Sequence, residues 1–258
     1  MAFLFHEVVF GPVRSRRLGL SLGINLLPRH RKYCSFNCIY CECGWTPAPK
    51  EQLLELPTRE EVFHYLEQRL RELVADDYLP DALTYAGNGE PTLHPEFDNI
   101  VDDTLKLRNR YTPDAKVTVL SNASMIGDQR VFNALLKLDN NILKLDAGSN
   151  RIFELINNPV HRLSFLQLIE NLMKFRGELI IQSMFLRGVY KDQAVDNTTP
   201  AEVSEWIGQL VKIRPKMVMI YPIARATPVH DLQKIPLFEL NAIASKVREA
   251  GLKVQVYE

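Results

Sequence analysis

The chain has 258 residues, of which 46% are hydrophobic and 24% charged, and its 31 basic and 31 acidic side chains give a formal net charge of zero. A neutral chain lacks the electrostatic surface expected of a dedicated nucleic-acid binder, so binding to DNA or RNA is not favoured. No apolar run approaches the roughly 18 to 20 residues that cross a bilayer, and the first residues carry no export signal. We therefore expect a cytoplasmic protein that does not contact a membrane.

Strands and helices are predicted to alternate along the chain. Residues 1–17 are expected to be an N-terminal extension of a single domain that covers residues 1–258. Short apolar and β-branched runs, bounded by polar residues or glycine, predict the strands that follow. In chain order these predicted strands are residues 18–27, 82–86, 116–120, 142–145, 179–186, 217–221 and 252–257.

Helical patterns separate the predicted strands. Thr58 and Glu61 have the spacing of a capping box, and Thr199 stands before Pro200 at another helix start. The longest polar connection, residues 190–199, is expected to be mobile. The predicted helices are residues 58–74, 95–108, 128–137, the helical segments up to residue 175, one that begins at residue 199, and residues 237–250.

Regular alternation of this kind indicates an α/β fold with a parallel sheet, because parallel neighbours need a crossover connection. Six strand-and-helix units suit a partial (β/α)6 barrel, and an open doubly wound sheet is the competing topology. In either fold the reactive residues should lie in the loops at the carboxyl ends of the strands. The loop after the first of these strands therefore has the position expected of a functional site.

All four cysteines of the chain fall in that loop, at Cys34, Cys38, Cys41 and Cys43. Disulfides would join nothing distant there, and they are rare in a reducing cytosol. A structural zinc site usually takes a second pair of ligands from elsewhere in the chain, and no second pair exists here. An iron–sulfur cluster accepts thiolates from one loop. The spacing alone favours an iron–sulfur cluster, with zinc and unliganded thiols as alternatives.

The C-x3-C-x2-C spacing, with Tyr40 before the third cysteine, resembles the signature of the radical S-adenosylmethionine (radical SAM) superfamily. The resemblance implies that Cys34, Cys38 and Cys41 bind a [4Fe-4S] cluster whose fourth iron is chelated by the amino and carboxylate groups of S-adenosylmethionine. Cys43 departs from the three-ligand pattern. It is expected to be a neighbouring thiol without a ligand role, the alternative being a thiol near the reaction centre.

Further polar positions at predicted strand ends resemble the cofactor-binding segments of the same family. The segment Gly87-Asn88-Gly89-Glu90 resembles the GGE motif, which implies contact with the amino group of S-adenosylmethionine; Asn88 replaces the first glycine of that motif. The resemblance also implies that Ser121, Asn122 and Asp146 contact the carboxylate and ribose of the cofactor. For Asp146, capping of the next helix is a rival role. The remaining cofactor positions are Gln182, in an apolar strand, and Tyr221 with Pro222, in a segment similar to the one that holds adenine.

Residues 10–25, together with the run Gly-Glu-Pro-Thr-Leu-His94-Pro, resemble a narrower subgroup related to the wybutosine-synthesis enzyme that modifies tRNA. That enzyme uses further cysteines for a second cluster, which this chain lacks, so its activity is not carried over. Arg14, Arg16 and Arg17 either bind an anionic substrate or cofactor carboxylate, or form a solvated loop. His94, Lys144, Arg187 and Arg225 lie near strand ends and are given no catalytic role.

The family resemblance implies reductive cleavage of S-adenosylmethionine to methionine and a 5′-deoxyadenosyl radical, which abstracts hydrogen from a substrate that the sequence does not identify. It also implies an external one-electron donor, flavodoxin or ferredoxin. The alternative functions are a structural zinc protein and a non-catalytic iron–sulfur electron carrier.

Overall fold

The computed structural model describes residues 3–47 and 55–258. Within these ranges the chain forms one ten-stranded sheet and seven α-helices. The strands are β1 (Val9–Ser15), β2 (Gly19–Ile24), β3 (Ala82–Tyr85), β4 (Lys116–Ser121), β5 (Asn140–Lys144), β6 (Ile180–Tyr190), β7 (Gln193–Asp196), β8 (Met217–Pro222), β9 (Leu232–Lys234) and β10 (Val254–Val256). The helices are α1 (Arg59–Ala75), α2 (Phe97–Tyr111), α3 (Gln129–Leu135), α4 (Asn150–Asn157), α5 (Phe165–Met173), α6 (Pro200–Ile213) and α7 (Leu237–Glu249).

The parallel part of the sheet has the order β2-β3-β4-β5-β6-β8-β10, with at least one helix between successive strands along the chain. Strands β1 and β10 are the two ends of this path, so the barrel is open between them. The α/β fold with a partial barrel is therefore confirmed. Because neighbouring strands are parallel, their carboxyl ends meet at one edge of the sheet. No helix in the described part of the chain is long and apolar enough to cross a membrane.

Local sequence signals fix several helix starts where they were predicted. The Thr58 side chain accepts a hydrogen bond from Glu61 N, and the Glu61 side chain accepts one from Thr58 N, which completes the capping box of α1. At α6 the Thr199 side chain accepts a hydrogen bond from Glu202 N, and Pro200 is the first helical residue. These bonds satisfy amide groups that the first turn of a helix leaves without partners.

Two predictions about irregular segments differ from the structure. Residues 9–15, within the expected N-terminal extension, form β1 and pair antiparallel with β2. The connection 190–199 contains β7, which pairs with the extended end of β6, and β9 pairs with β6 beside it. Strand β6 thus continues to Tyr190, four residues beyond the predicted end, because its last residues have two antiparallel partners. Strand β9 is distant in sequence from β6, so the local pattern could not indicate its pairing. Strand β7 follows β6 through a two-residue turn at Lys191 and Asp192, in a polar stretch whose composition predicts a loop.

The two faces of the parallel sheet have different contents. On the outer face, Leu22 and Val117 are fully buried in the main hydrophobic core together with Leu66 of α1. The inner face encloses the lumen of the barrel. At the amino ends of the strands the lumen is closed by an apolar cluster of Ile142, Ile180 and Met219, which we call the lumen floor. Polar side chains occupy the inward positions nearer the carboxyl ends, among them Lys144, Gln182 and Tyr221.

His94 has a structural position beside the start of α2. Its ring is 4% exposed; Nε2 lies 2.9 Å from Pro57 O, and Nδ1 accepts a hydrogen bond from Glu96 N at 3.2 Å. A neutral ring with its hydrogen on Nε2 satisfies both contacts. Burial lowers the pKa of His94 below its ordinary value. The folded protein therefore holds this ring neutral.

Because the pKa of His94 is lower in the folded chain than in the unfolded chain, unfolding is favoured as the pH falls through about 6.5. We expect the free energy of unfolding to decrease between pH 7 and pH 5, and His94→Gln to reduce that slope by at most about 1.4 kcal/mol per pH unit. Urea unfolding at several pH values measures the slope. The exposed His161 provides a matched control, since His161→Gln should keep the wild-type slope. Equal slopes in both variants would contradict the assignment.

Candidate functional site

The cysteine loop follows β2 and lies at the carboxyl ends of the parallel strands. Hydrogen bonds between main-chain groups hold it on both sides. On one side, Tyr33 N donates to Asn88 O at 2.8 Å and Glu90 N donates to Tyr33 O at 3.1 Å. On the other side, Ile39 N donates to Ile156 O of α4 at 3.0 Å. The loop is therefore fixed between the β3–α2 connection and α4.

The β3–α2 connection approaches the loop so closely that a side chain at Gly89 has no room. A Cβ atom at Gly89 would lie 1.9 Å from Tyr33 O, and the φ of Gly89 is +143°. The neighbouring Asn88 is fully buried: its Oδ1 accepts from Phe5 N at 2.8 Å, and its Nδ2 donates to Phe5 O at 2.8 Å and to Pro28 O at 2.9 Å. The side chain of Asn88 thus anchors the N-terminal segment.

Glu90 joins this connection to the end of β4. Its Oε1 accepts hydrogen bonds from Thr92 N at 3.1 Å and from Ser121 Oγ at 2.8 Å, and its Oε2 accepts one from Asn122 N at 2.6 Å. Burial raises the pKa of Glu90, and these donors oppose the rise by stabilising the carboxylate. Ser121 and Asn122 are consequently held at the mouth of the lumen by a buried carboxyl group.

Two asparagine amides donate to cysteine sulfurs. Asn122 Nδ2 lies 3.5 Å from Cys34 Sγ, and Asn157 Nδ2, at the end of α4, lies 3.5 Å from Cys38 Sγ. Asn122 Nδ2 also donates to Ser35 Oγ at 2.9 Å. The Oδ1 atom of Asn157 is buried and has no hydrogen-bond partner among the described residues. The sulfurs of Cys34 and Cys38 thus face amide donors from opposite sides of the loop.

The four thiols differ in their acidity. Burial raises the pKa of Cys34 to about 12 and also raises that of Cys38. The hydrogen bond between Cys43 and Cys41 lowers the pKa of Cys41 to about 5 and raises that of Cys43. Cys43 Sγ also lies 3.7 Å from Gly87 O, a second acceptor for its single hydrogen. Cys43 is therefore a hydrogen-bond donor within the loop.

Lys32 is a buried cation beside the thiols. It is 3% exposed, and its Nζ donates to Gly44 O at 2.9 Å. Burial alone would lower the pKa of Lys32, but negative charge on the cysteines, chiefly Cys41 and then Cys34, raises it above its ordinary value. The position thus favours an ammonium group next to thiolates.

Asp146 is the centre of a second buried network, on the α4 side of the loop. Its carboxylate accepts hydrogen bonds from the Tyr40 hydroxyl, from Asn157 Nδ2 at 2.7 Å and from Met184 N at 2.8 Å. Lys144 Nζ donates to Tyr40 Oη at 2.7 Å and lies 3.6 Å from the carboxylate. Burial opposes the charge of Lys144, but Asp146 and other neighbours raise its pKa above the ordinary value.

The rival role for Asp146, capping of the following helix, does not occur. Ser149 is the N-cap of α4, and its Oγ accepts from Ile152 N at 3.3 Å. Asp146 instead connects the end of β5 with the cysteine loop and with α4. Its two oxygens are already occupied by donors from three different elements.

Two more predicted positions line the lumen and a third does not. Gln182 of β6 is opposite Lys144 in the parallel register, and Tyr221 of β8 is opposite Met184, so both side chains point inward. Pro222, the next residue, is buried on the opposite face. Alternation along β8 directs its ring towards the helices.

The structure thus brings most of the predicted site residues to one edge of the sheet. The group comprises Cys34, Cys38, Tyr40, Cys41, Gly87, Asn88, Gly89, Glu90, Ser121, Asn122 and Asp146. The sequence analysis did not identify Lys32 or Asn157 and gave Lys144 no role. Of these three residues, only Lys144 could have been indicated by its spacing, because it lies two residues before Asp146. Among residues 3–47 and 55–258, no three His, Cys, Asp or Glu side chains converge on a position for a single metal ion.

Comparisons with known proteins agree with this arrangement. The model of the Radical SAM superfamily matches residues 29–197, which include the cysteine loop and the strand ends around it. The chain therefore belongs to the radical SAM superfamily, which confirms the family resemblance. Enzymes of this superfamily use a [4Fe-4S] cluster and S-adenosylmethionine, and they need a one-electron donor and a substrate.

Relatives and solved structures extend the comparison over most of the chain. A UPF0026 protein of Methanocaldococcus jannaschii is 34% identical over 196 residues, 74% of this chain and 58% of that protein. A radical SAM methyltransferase from Sphaerobacter thermophilus has a TM-score of 0.68 at 15% identity, covering 92% of this chain and 65% of that one. Archaeal TYW1 has a TM-score of 0.55 at 12% identity, covering 89% and 72%. The chain spans 34%, 58% and 57% of the first three curated relatives that it matches.

The pairing of Lys144 with Asp146 can be measured by a double-mutant cycle. Asp146→Asn leaves a mostly buried ammonium group without its carboxylate, so we expect it to lower the free energy of unfolding by about 3 kcal/mol. Lys144→Met in the same chain should recover about 1–3 kcal/mol of that loss. Urea unfolding under anaerobic conditions measures the free energy of unfolding of the wild type, the two single variants and the double variant. Additive effects of the two substitutions would show that the groups do not interact.

Proposed function

We propose that the protein is an iron–sulfur enzyme that reductively cleaves S-adenosylmethionine. The observation that carries the proposal is the group of three thiols, Cys34, Cys38 and Cys41, in one loop at the mouth of the lumen, with amide donors aimed at two of the sulfurs. In this proposal the three thiolates hold a [4Fe-4S] cluster, and the fourth iron is left for S-adenosylmethionine.

The surroundings of the loop suit such a cluster. Soft thiolates are the ligands that iron–sulfur clusters take, and hydrogen bonds to the sulfurs adjust the reduction potential. Lys32 and Lys144 place positive charge beside the thiols, which offsets the negative charge of three thiolates. The unpaired Oδ1 of Asn157 offers a buried acceptor to a polar group of a bound ligand.

The other cofactor contacts are proposed from the family resemblance and from the contacts around them. The proposed contact residues are Tyr40, Gly87, Asn88, Gly89, Glu90, Ser121, Asn122, Asp146, Gln182 and Tyr221; Pro222 is not among them, because it lies on the opposite face of the sheet. Main-chain groups of residues 87–90 would bind the amino group of S-adenosylmethionine, since the side chains of Asn88 and Glu90 already have partners within the protein. The carboxylate of Asp146 accepts three hydrogen bonds, so we propose that it mainly orients Tyr40 and Asn157.

A [4Fe-4S] cluster held by Cys34, Cys38 and Cys41 would supply one electron for reductive cleavage of S-adenosylmethionine to methionine and a 5′-deoxyadenosyl radical, which would take hydrogen from the substrate. The chain itself binds both groups, excludes water from the lumen and positions the substrate. We propose flavodoxin or ferredoxin as the electron donor and the cytoplasm as the location. Neither a nucleic acid nor a membrane is part of the proposal.

Anaerobic reconstitution with iron and sulfide tests this function. We expect a brown protein with about four irons per chain, a paramagnetic resonance signal after reduction that shifts when S-adenosylmethionine is added, and release of 5′-deoxyadenosine. A colourless protein that binds one zinc ion would instead support the structural zinc function. A reducible cluster that never yields 5′-deoxyadenosine would support an electron carrier.

Serine substitutions in the loop separate the ligands from their neighbour. Cys34→Ser, Cys38→Ser and Cys41→Ser should each lose most of the bound iron, because each removes a thiolate ligand. Cys43→Ser should keep the cluster, since in the proposed role of a neighbour the Cys43 thiol is only a hydrogen-bond donor beside Cys41 and Gly87 O. Iron analysis measures the outcome. Loss of iron in Cys43→Ser would show that this cysteine is a ligand.

The amide of Asn157 should influence the cluster through Cys38. Removing an N–H donor from a thiolate destabilises the more negative, reduced state, so Asn157→Ala should make the reduction potential more negative. Iron retention against a chelator should weaken about tenfold. A potentiometric titration followed by paramagnetic resonance measures the potential. Asn150→Ala on the exposed side of α4 is the matched control, and an equal potential in both variants would contradict the role.

A further inference from the structure

Arg17 reaches into the lumen from the turn between β1 and β2. Its Nη1 donates to Gln182 Oε1 at 2.9 Å, and its guanidinium carbon lies 5.0 Å from the centre of the Tyr221 ring. The next residue, Leu18, packs against the lumen floor. The β1–β2 turn therefore covers the amino end of the barrel with an apolar side chain and places a cation on the lumen wall.

The guanidinium of Arg17 has only neutral partners. No carboxylate lies within ion-pair distance of it in residues 3–47 and 55–258. Two other partly buried arginines are paired: Arg108 Nη1 lies 3.0 Å from Asp139, and Arg187 pairs with Glu239. A partly buried arginine is normally paired, because loss of hydration costs free energy that an anion recovers.

Arg17 also lies near the part of the lumen that faces the cysteine loop. Gln182, which accepts its hydrogen bond, is opposite Lys144 in the β5–β6 register. The Tyr221 ring, which lies against the guanidinium group of Arg17, is close enough to Lys144 and Tyr40 to affect the pKa of each. Lys144 itself has Asp146 as its anion. Arg17 is thus the cation on this wall whose charge remains available to a ligand.

We propose that Arg17, supported by Gln182 and Tyr221, forms a subsite for an anionic group of the substrate, either a carboxylate or a phosphate. The guanidinium group fits both anions because its planar fork can donate two parallel hydrogen bonds. The Gln182 carbonyl and the Tyr221 ring restrict the side chain, so less conformational entropy is lost on binding. This inference rests on the proposed function, since it assumes that a substrate enters the lumen.

Two other roles for Arg17 make different predictions. If Arg17 instead binds the carboxylate of S-adenosylmethionine, its substitution should weaken binding of S-adenosylmethionine. If Arg17 only closes the barrel through Gln182, added anions should leave its chemical reactivity unchanged. Arg16, which is exposed in the same turn, provides a reference inside the same molecule.

The first experiment measures modification of Arg17 and Arg16 by phenylglyoxal in the reconstituted wild-type protein, with peptide mass spectrometry as the readout. Sodium phosphate and sodium acetate are the probes, at an ionic strength kept constant with chloride. We expect one probe to slow modification of Arg17 at least tenfold in a saturable manner, with Arg16 changed less than twofold. Protection by phosphate identifies a phosphate subsite and protection by acetate a carboxylate subsite. Equal protection of both arginines, or protection of neither, would overturn the proposal.

The second experiment uses Arg17→Gln with Arg16→Gln as its control. We expect both variants to load iron as the wild type does and to bind S-adenosylmethionine within twofold of it. Binding weakened tenfold or more in Arg17→Gln alone would assign Arg17 to the cofactor and overturn the substrate subsite. Failure of the proposed function would be recognised separately, as absence of a cluster or of 5′-deoxyadenosine in the wild type, whereas the protection experiment needs no turnover.

Discussion

Two buried carboxyl groups fix the cysteine loop, and the geometry of the candidate site depends on them. Glu90 holds the main chain of Asn122, whose amide donates to Cys34, and Asp146 holds the amide of Asn157, which donates to Cys38. These two pairs of residues, Glu90 with Asn122 and Asp146 with Asn157, approach the loop from opposite sides. A loop without regular secondary structure is thereby held in place by hydrogen bonds to buried groups.

The same burial explains the charge pattern of the site. Thiols removed from water resist ionisation, as the raised pKa values of Cys34 and Cys38 indicate, while Lys32 favours negative charge on the neighbouring sulfurs. Metal binding takes thiolates and releases protons, so a cationic group next to the thiols lowers the cost of that exchange. Asp146 and Lys144 form a nearly neutral pair beside this region, which avoids an unpaired buried charge.

The sequence allowed the fold and the centre of the site to be predicted, but not the residues that support it. Apolar periodicity and caps such as Thr58 are local signals, and the parallel sheet follows from their alternation. Asn157 lies 119 residues from Cys38 and ends an ordinary amphipathic helix, so nothing local marks it. Lys32 follows a basic run that is typical of a solvated loop, yet it is buried by the fold. Strand β9 depends on pairing with the end of β6, from which it is distant in sequence.

Tyr40 makes the cysteine loop and the lumen parts of one network. Its main chain lies between Cys38 and Cys41, whereas its hydroxyl donates to Asp146 and accepts from Lys144. Lys144 is adjacent in register to Gln182, so the contacts continue from the loop to the lumen wall. Since all these groups are mostly buried, a change in one alters the hydrogen bonds that its neighbours can make. The position of the thiols and the shape of the lumen are therefore set by the same interactions.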